Sequence, residues 1–322
     1  MISRTDVLAH LERGMRVGFL KGSKAYTPLR APFTKETTSD GAFETYTDMG
    51  ALPWPEEISG QSGAQGTDGR TGGQVVGGLL EGGSVTVLGG NERSMTVFNR
   101  GFDIAIGIFH DAINDNKVGS LESWALGAGS RFEMHKDFLA FDALNSGAAT
   151  TYGYGYDGLV MFSASHVDPG AQYTTVQSNV NTSALSIDNF ETVSLAASKY
   201  LDDRGKYAGL SPDLLVHAVD LKRVATQITD NPMAYDTANR EINPYEGDIR
   251  RLSAPGGWLD TTCWILVVSN LPQKPLNLQI RQAPMLYYWD DQTQAGGVRY
   301  YKWYARYEVF YGDWRLASQG NT

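Results

Sequence analysis

The residues of this chain that could do chemistry are five histidines, one cysteine and several neighbouring carboxylates. His10, His110, His135, His166 and His217 fall in no metal-binding spacing such as H-E-x-x-H. Two local groupings would suit a hydrolytic base or a metal: His110 and Asp111 with Asp115, and His166 with Asp168. Single His/Asp neighbours more often satisfy a local hydrogen bond, which is the preferred reading of both. Cys263 lies in an apolar run, where a thiol behaves as a small hydrophobe. The hexapeptide GYGYDG at 153–158 has the spacing G-x-G-x-x-G of a dinucleotide site. That site needs a strand before its glycines and a helix after them. Here the order is reversed, and Tyr154 and Tyr156 stand where a ligand wants close backbone approach, so the hexapeptide reads as a connector. No phosphate-binding G-x-x-x-x-G-K-[ST] loop and no G-x-S-x-G elbow occurs. An enzyme is disfavoured, and no cofactor or metal is expected.

The elements around these residues are clearer. Thr5 can cap a short helix through Leu11 that Gly14 interrupts, after which the arm loses its pattern. Twelve glycines between Gly60 and Gly90 leave too few side chains for a core, which predicts a projecting two-stranded flap. Phe102, Ile104, Ile106 and Ile108 alternate as in a half-buried strand. From about Asp115 to Leu144 the period becomes helical, predicting one long helix, bent if at all at Gly127 and Gly129. GLVMF at 158–162 reads as a strand. Asp188 and Glu191 resemble a capping box for a helix to Tyr200; Leu214–Val219 reads as a strand, and Asp220 as the cap of the helix after it. Cys263–Val268 is another apolar strand, and Asp202-Asp203 and Asp290-Asp291 read as turns.

The last fifty residues carry the strongest pattern. Tyr301, Trp303, Ala305, Tyr307, Val309 and Tyr311 share one face of a strand, with Lys302, Arg306 and Glu308 on the other. Its expected partner is Leu276–Tyr288, paired across DDQTQAGG, with the long helix as cover. The aromatic face reads as packing rather than as a sugar-stacking surface.

Length and charge bound the rest. With 322 residues the chain can bury a large core, and its 36 Gly and 17 Tyr favour many turns and strands. The single cysteine rules out an intrachain disulfide. The amino terminus lacks the apolar core of a signal peptide and no run approaches the ~20 apolar residues of a span, so a soluble intracellular product without membrane contact is expected. The net charge of −9 argues against a nucleic-acid reader. Residues 1–31 nevertheless hold six basic residues against two acidic ones, so a basic arm precedes an acidic body. Such an arm is either a solvated terminus or lies on an acidic neighbour.

Several stretches, in this order, resemble the Mu-like major head subunit family of tailed-phage capsid proteins over nearly the whole chain: LPWPEE at 52–57, FDIAIGIFHDAIND, YDGLVMFSASH at 156–166, DDRGKYAGLSPDLLVHAVDLKRVA, WILVVSNLP and YARYEVFYGDWRLASQG. The resemblance implies an α+β tailed-phage major-capsid fold. Its parts would be an amino-terminal arm at 1–45, an extended β-flap loop at 46–105, a spine helix at 106–147, a compact axial domain at 148–275, and long peripheral strands from 276 to 322. It implies a virion shell protein made in the host cytoplasm, assembling with itself as pentamers and hexamers in an icosahedral or related shell. Separate scaffold, portal and decoration proteins and non-specific contact with packaged double-stranded DNA would follow. Inter-subunit contacts would involve Arg4, Arg13 and Arg16 in the arm, Trp54, Glu56, Glu57, Arg70 and Arg93 in the loop, and Asp111 and Asp115 at the start of the spine. An arm beginning at Met1 suggests that no cleaved scaffold domain precedes it.

Two departures stand out. Ile113 is followed by Asn114, Asp115 and Asn116 instead of the family's acidic pair, which puts an ion pair there in doubt. Residues 41–100 contain no lysine, so the isopeptide crosslink some relatives form in the loop is not expected. The rival readings are a nanocompartment shell of the encapsulin type, which shares the fold, a hydrolase using a His/Asp site, and a sugar-binding module using the terminal aromatics.

Overall fold

The computed structural model describes residues 4–48, 93–114, 121–167, 175–233, 242–293 and 297–320. In chain order they form α1 (Arg4–Ala25), β1 (Thr34–Thr38), β2 (Phe43–Asp48), β3 (Arg93–Phe98), β4 (Arg100–Phe109), α2 (His110–Asn114), α3 (Leu121–Asn145), β5 (Val180–Asn181), α4 (Ile187–Ser198), β6 (Leu214–His217), α5 (Lys222–Thr229), β7 (Arg250–Ser253), β8 (Trp264–Val267), β9 (Leu276–Asp291), β10 (Val298–Tyr311) and β11 (Ala317–Gly320).

Strand periodicity builds the first sheet, ordered β1-β9-β10-β4. In β10 the alternating set Tyr301, Trp303, Ala305, Tyr307, Val309 and Tyr311 is buried, and the partner strand β9 runs to Asp291, three residues beyond the expected end. Asp290 therefore sits in a strand and not in a turn; it receives Arg299 from directly across the ladder. Phe102, Ile104, Ile106 and Ile108 of β4 turn to the same core. The 25-residue α3 lies over this face. Its second half is buried at Lys136, Asp137, Leu139, Ala140, Phe141, Ala143 and Leu144, so it is a core element and not a surface helix.

The arm departs from expectation. Instead of a short helix broken at Gly14, α1 continues for 22 residues, and Thr5 lies inside it. Gly14, Gly18 and Gly22 recur every fourth residue and so share one stripe. A Cβ on Gly22 would lie 1.9 Å from the Leu126 carbonyl oxygen, and one on Gly129 of α3 would lie 2.1 Å from that of Phe19. The glycines allow two helices to touch backbone to backbone, and the buried contact offsets the ~1 kcal/mol each glycine costs a helix interior. Phe19 then stacks on Trp303 at 5.9 Å and meets Phe132 edge-on at 5.8 Å, closing helix pair onto sheet.

The middle of α1 and the chain just past its end are tied down by charge. Arg299 donates to Glu12 at 2.8 Å and to Asp290 at 3.0 Å, with its guanidinium over the Tyr288 ring. Just past the helix, Arg30 donates to Asp137 at 2.7 Å, Glu36 at 2.6 Å and Glu133 at 3.2 Å. Tyr26 Oη and the Leu29 amide fill the other oxygen of Asp137, which is fully buried. Burial opposes the Glu133 carboxylate, but Lys136 and Arg30 outweigh it and hold its pKa below the usual range.

The second sheet, ordered β5-β11-β8-β6-β7, mixes parallel and antiparallel pairs. One face meets α4 and α5 through Leu215, Trp264 and Leu266 against Phe190, Val193, Ala225 and Ile228. The other presents Leu214, Val216, Ile265 and Val267 to the main core. Neither cap expected here is formed by the expected residue. Ser186 caps α4, accepting from the Asn189 amide, because its extended backbone aims the hydroxyl at the helix start. Asp220 lies within a single 3₁₀ turn, Val219–Leu221, and α5 follows without a side-chain cap. GLVMF is not a strand either. The Gly155 amide donates into that run, to the Leu159 carbonyl, and the Phe162 amide donates back to the Gly147 carbonyl, so the segment folds on the connector. The pair of β2 with β3 at the base of the expected flap is formed, from Phe43↔Phe98 to Asp48↔Arg93, while residues 49–92 lie outside the described residues.

Candidate functional site

His166 is the most organised titratable group in the structure, and its geometry decides what it can do. The ring is fully buried and lies flat on Trp314, centroids 4.1 Å apart and planes within 2°. Nδ1 meets Asp157 Oδ2 at 2.5 Å and Nε2 meets Asn179 Oδ1 at 3.1 Å. The Asn179 amide nitrogen donates to the carbonyls of Met161, Trp314 and Ala317, which fixes its oxygen as the acceptor. Nε2 of His166 therefore donates to Asn179 while Nδ1 is held against the Asp157 carboxyl, so both ring nitrogens are engaged and neither is free to take a proton from a substrate. The cluster is a cross-brace. It joins the connector, through Asp157, to the turn between β10 and β11, through Trp314. The expected partner Asp168 lies outside the described residues.

Of the second grouping, two members are described. His110 Nε2 faces Asp290 of β9 at 3.2 Å and its amide bonds to Gly297, tying α2 to the hairpin turn. Asp111 is exposed, and Asp115 lies outside the described residues. No group of three or more histidine, cysteine or acidic side chains among the described residues could hold a metal. Burial pushes the Cys263 thiol up to about 11, so it is inert at neutral pH. Tyr301, Trp303, Tyr307 and Tyr311 are all but inaccessible, which removes them as sugar-stacking residues.

What the molecule offers instead is surface. Arg13 and Arg16 project from α1 into solvent. Arg4 begins α1 and Arg93 pairs with Asp48 across β2 and β3, but their side chains are not among those described, and Trp54, Glu56, Glu57 and Arg70 lie outside the described residues. Sequence reasoning missed the free end of the hairpin. There Met285, Tyr287 and Trp289 of β9 stand on the face opposite Tyr301 and Trp303, each about half exposed, and Trp289 stacks on Tyr300 at 5.2 Å. Contiguous exposed apolar surface of this kind marks a contact. The signal was available in the register, since residues opposite a buried alternating set must face outward. Among the described residues no helix is long and apolar enough to cross a membrane.

Residues 83–185 match the family model described as Mu-like prophage major head subunit gpT. No curated protein sequence matches. Among solved structures, the procapsid of bacteriophage JBD30 is similar over 100% of this chain and 76% of its own, at 16% identity and a TM-score of 0.57. The JBD30 capsid decorated with minor capsid protein trimers is similar over 73% of this chain and 92% of its own, at 17% identity and a TM-score of 0.52. A virus-like particle from Pyrococcus furiosus is similar over 95% of this chain and 97% of its own, at 11% identity and a TM-score of 0.50. The fold is that of the phage major capsid proteins.

Proposed function

We infer that this chain, a Mu-like major head subunit by its family segment and a phage major capsid protein by its fold, is the structural subunit of a phage head that assembles with copies of itself. The observation that carries the reading is the match of the family segment to β4, α2, α3 and the connector, the elements that join the two sheets.

The finer reading is an icosahedral or related shell of pentamers and hexamers around double-stranded DNA. Heterologous contacts repeated around such axes close on themselves. With no lysine in residues 41–100, the contacts are non-covalent, and several of standard ~1,600 Å² size per subunit suffice. An acidic body repels the DNA backbone and lets packaged DNA slide. The subunit is made in the host cytoplasm with separate scaffold and portal proteins, and decoration of the JBD30 capsid by minor capsid protein trimers suggests a similar partner. The likeness to a virus-like particle supports a second reading, a cargo-holding nanocompartment.

Negative-stain electron microscopy of the purified protein across concentration and salt, with sedimentation velocity, tests the assembly. Closed shells, or rings of five and six subunits, are expected. Subunits that stay monomeric even with their cognate scaffold would refute the shell reading, and shells purified from the native source with protein cargo in place of DNA would favour the nanocompartment.

A further inference from the structure

The outer face of α1 carries Arg13 and Arg16, which the family resemblance implies as subunit contacts, within a wider pattern that includes apolar residues. Arg13, Arg16, Val17, Leu20 and Lys24 fall at helical spacing on one side, all exposed, with Leu20 at 58% and Val17 at 43%. This stripe borders a groove of about 260 Å³ whose other wall is Pro284, Met285 and Leu286 of β9, with Phe19 and Trp303 as its floor. Arg13 and Arg16 have no ion-pair partner among the described residues, whereas the acidic neighbours of α1 are already engaged, Glu12 with Arg299 and Glu122 with Lys21. The groove is therefore apolar inside and positive at its rim. The Trp303 indole nitrogen is buried without an acceptor among the described residues. Beyond Ile280, β9 also has a strand neighbour on one side only, because β1 pairs with Leu276–Ile280 and no other described strand continues it. Pro284 removes one donor from that open edge, leaving Met285 onward to pair.

We propose that the groove between α1 and the open edge of β9 docks a short acidic, apolar-bearing segment of a separate protein. Carboxylates of the segment meet Arg13 and Arg16, apolar side chains fill the space between Leu20 and Leu286, which shares the Trp303 face of the sheet, and its backbone extends the sheet along β9. The groove holds two or three side chains, which suits a linear segment better than the broad face of a second subunit. Exposed Leu20 and Val17 beside the arginines disfavour nucleic acid, whose contacts with protein are dominated by charged phosphate. Such docking is independent of the shell reading, since it concerns one face of one subunit.

The test is fluorescence anisotropy with the full-length chain and a fluorescein-labelled peptide of alternating leucine and glutamate. A leucine–lysine peptide and a short DNA duplex serve as comparators. The acidic peptide should bind, more weakly as salt rises, and the double variant Arg13→Glu/Arg16→Glu should lose at least about tenfold in affinity. Leu20→Asp should lose a similar factor, with unchanged circular dichroism because all three side chains are exposed. No binding of the acidic peptide, equal binding of the DNA or the lysine peptide, or binding indifferent to the arginine variant would each overturn the proposal. So would a double variant that stops the purified chain from assembling on its own, which would assign the face to a second copy.

Discussion

Replacing Gly22 with alanine sets two physical effects against each other. In an isolated helix alanine is better than glycine by about 1 kcal/mol, so propensity alone predicts a more stable protein. In this fold the new methyl would sit 1.9 Å from the Leu126 carbonyl oxygen, some 1.5 Å inside the 3.4 Å at which ordinary contact begins. The atom it meets belongs to the backbone of α3, which cannot rotate away, so α1 must lift from α3. Overpacking of this kind costs about 1–3 kcal/mol and sometimes more. Lifting α1 would also loosen the Phe19–Trp303 stack. The net expectation is a loss of at least about 1–2 kcal/mol. Gly14 supplies the internal control, because it lies on the same stripe with nothing within 4 Å of an added Cβ. Gly14→Ala should gain up to about 1 kcal/mol, so the two variants should differ by about 2–3 kcal/mol, roughly thirty- to two-hundredfold in the unfolding equilibrium. Urea denaturation of dissociated subunits, followed by circular dichroism, measures both. A Gly22→Ala subunit as stable as Gly14→Ala would refute the close approach of the two helices.

Asp137→Asn should destabilise the subunit by about 3–5 kcal/mol, since it leaves Arg30 buried without its one fully buried counter-charge, whereas the double variant Arg30→Met/Asp137→Leu should recover most of that loss. Acid should weaken the fold in two stages. Burial, with smaller contributions from nearby cations, depresses the pKa of His135 and His217, so the unfolded chain takes up protons first and stability falls as pH drops below about 6.5. For Glu133 and Asp213, burial is outweighed by Lys136 and Arg30 in one case and by Ser269 and Arg250 in the other; their contribution is present above about pH 4.5 and is lost as pH falls through the depressed folded values. Urea midpoints unchanged between pH 7 and 5 would contradict the histidine stage. Cys263 should resist a thiol reagent in the native subunit and react only on unfolding; rapid native labelling would contradict its burial. Trp303→Ala should cost about 3–5 kcal/mol by the same denaturation assay, because the ring sits between α1 and the sheet.

How much of this was legible differs by element. The β10 face was readable because apolar residues at every second position over fourteen residues suit a strand with one buried face and do not suit a helix. The helix α1 was not, because a glycine every fourth residue looks like interruption until the partner helix that needs it is in view. The strands β1, β7 and β11 are four or five residues long, too short to carry a period, and owe their conformation to neighbours distant in sequence. At His166 the sequence offered Asp168, two residues away, while the bond is made to Asp157, across a fold in the connector that no local rule describes. The surface features were not legible, since exposure on β9 depends on its register with β10.

Two short strand-to-strand links join the two sheets. Strand β10 leaves the first sheet at Tyr311 and, after Gly312 and one 3₁₀ turn, enters the second as β11, while β8 hands the chain back to β9 over a similarly short path. A pull along the long hairpin thus acts parallel to its strands, against the ladders that bind β10 to β9 and to β4. Bonds loaded sideways share the force and must break together, whereas bonds peeled from one end break one by one. The molecule is therefore stiffest along the hairpin and gives first across it, the mechanical grain of a tile meant to be stretched in its own plane.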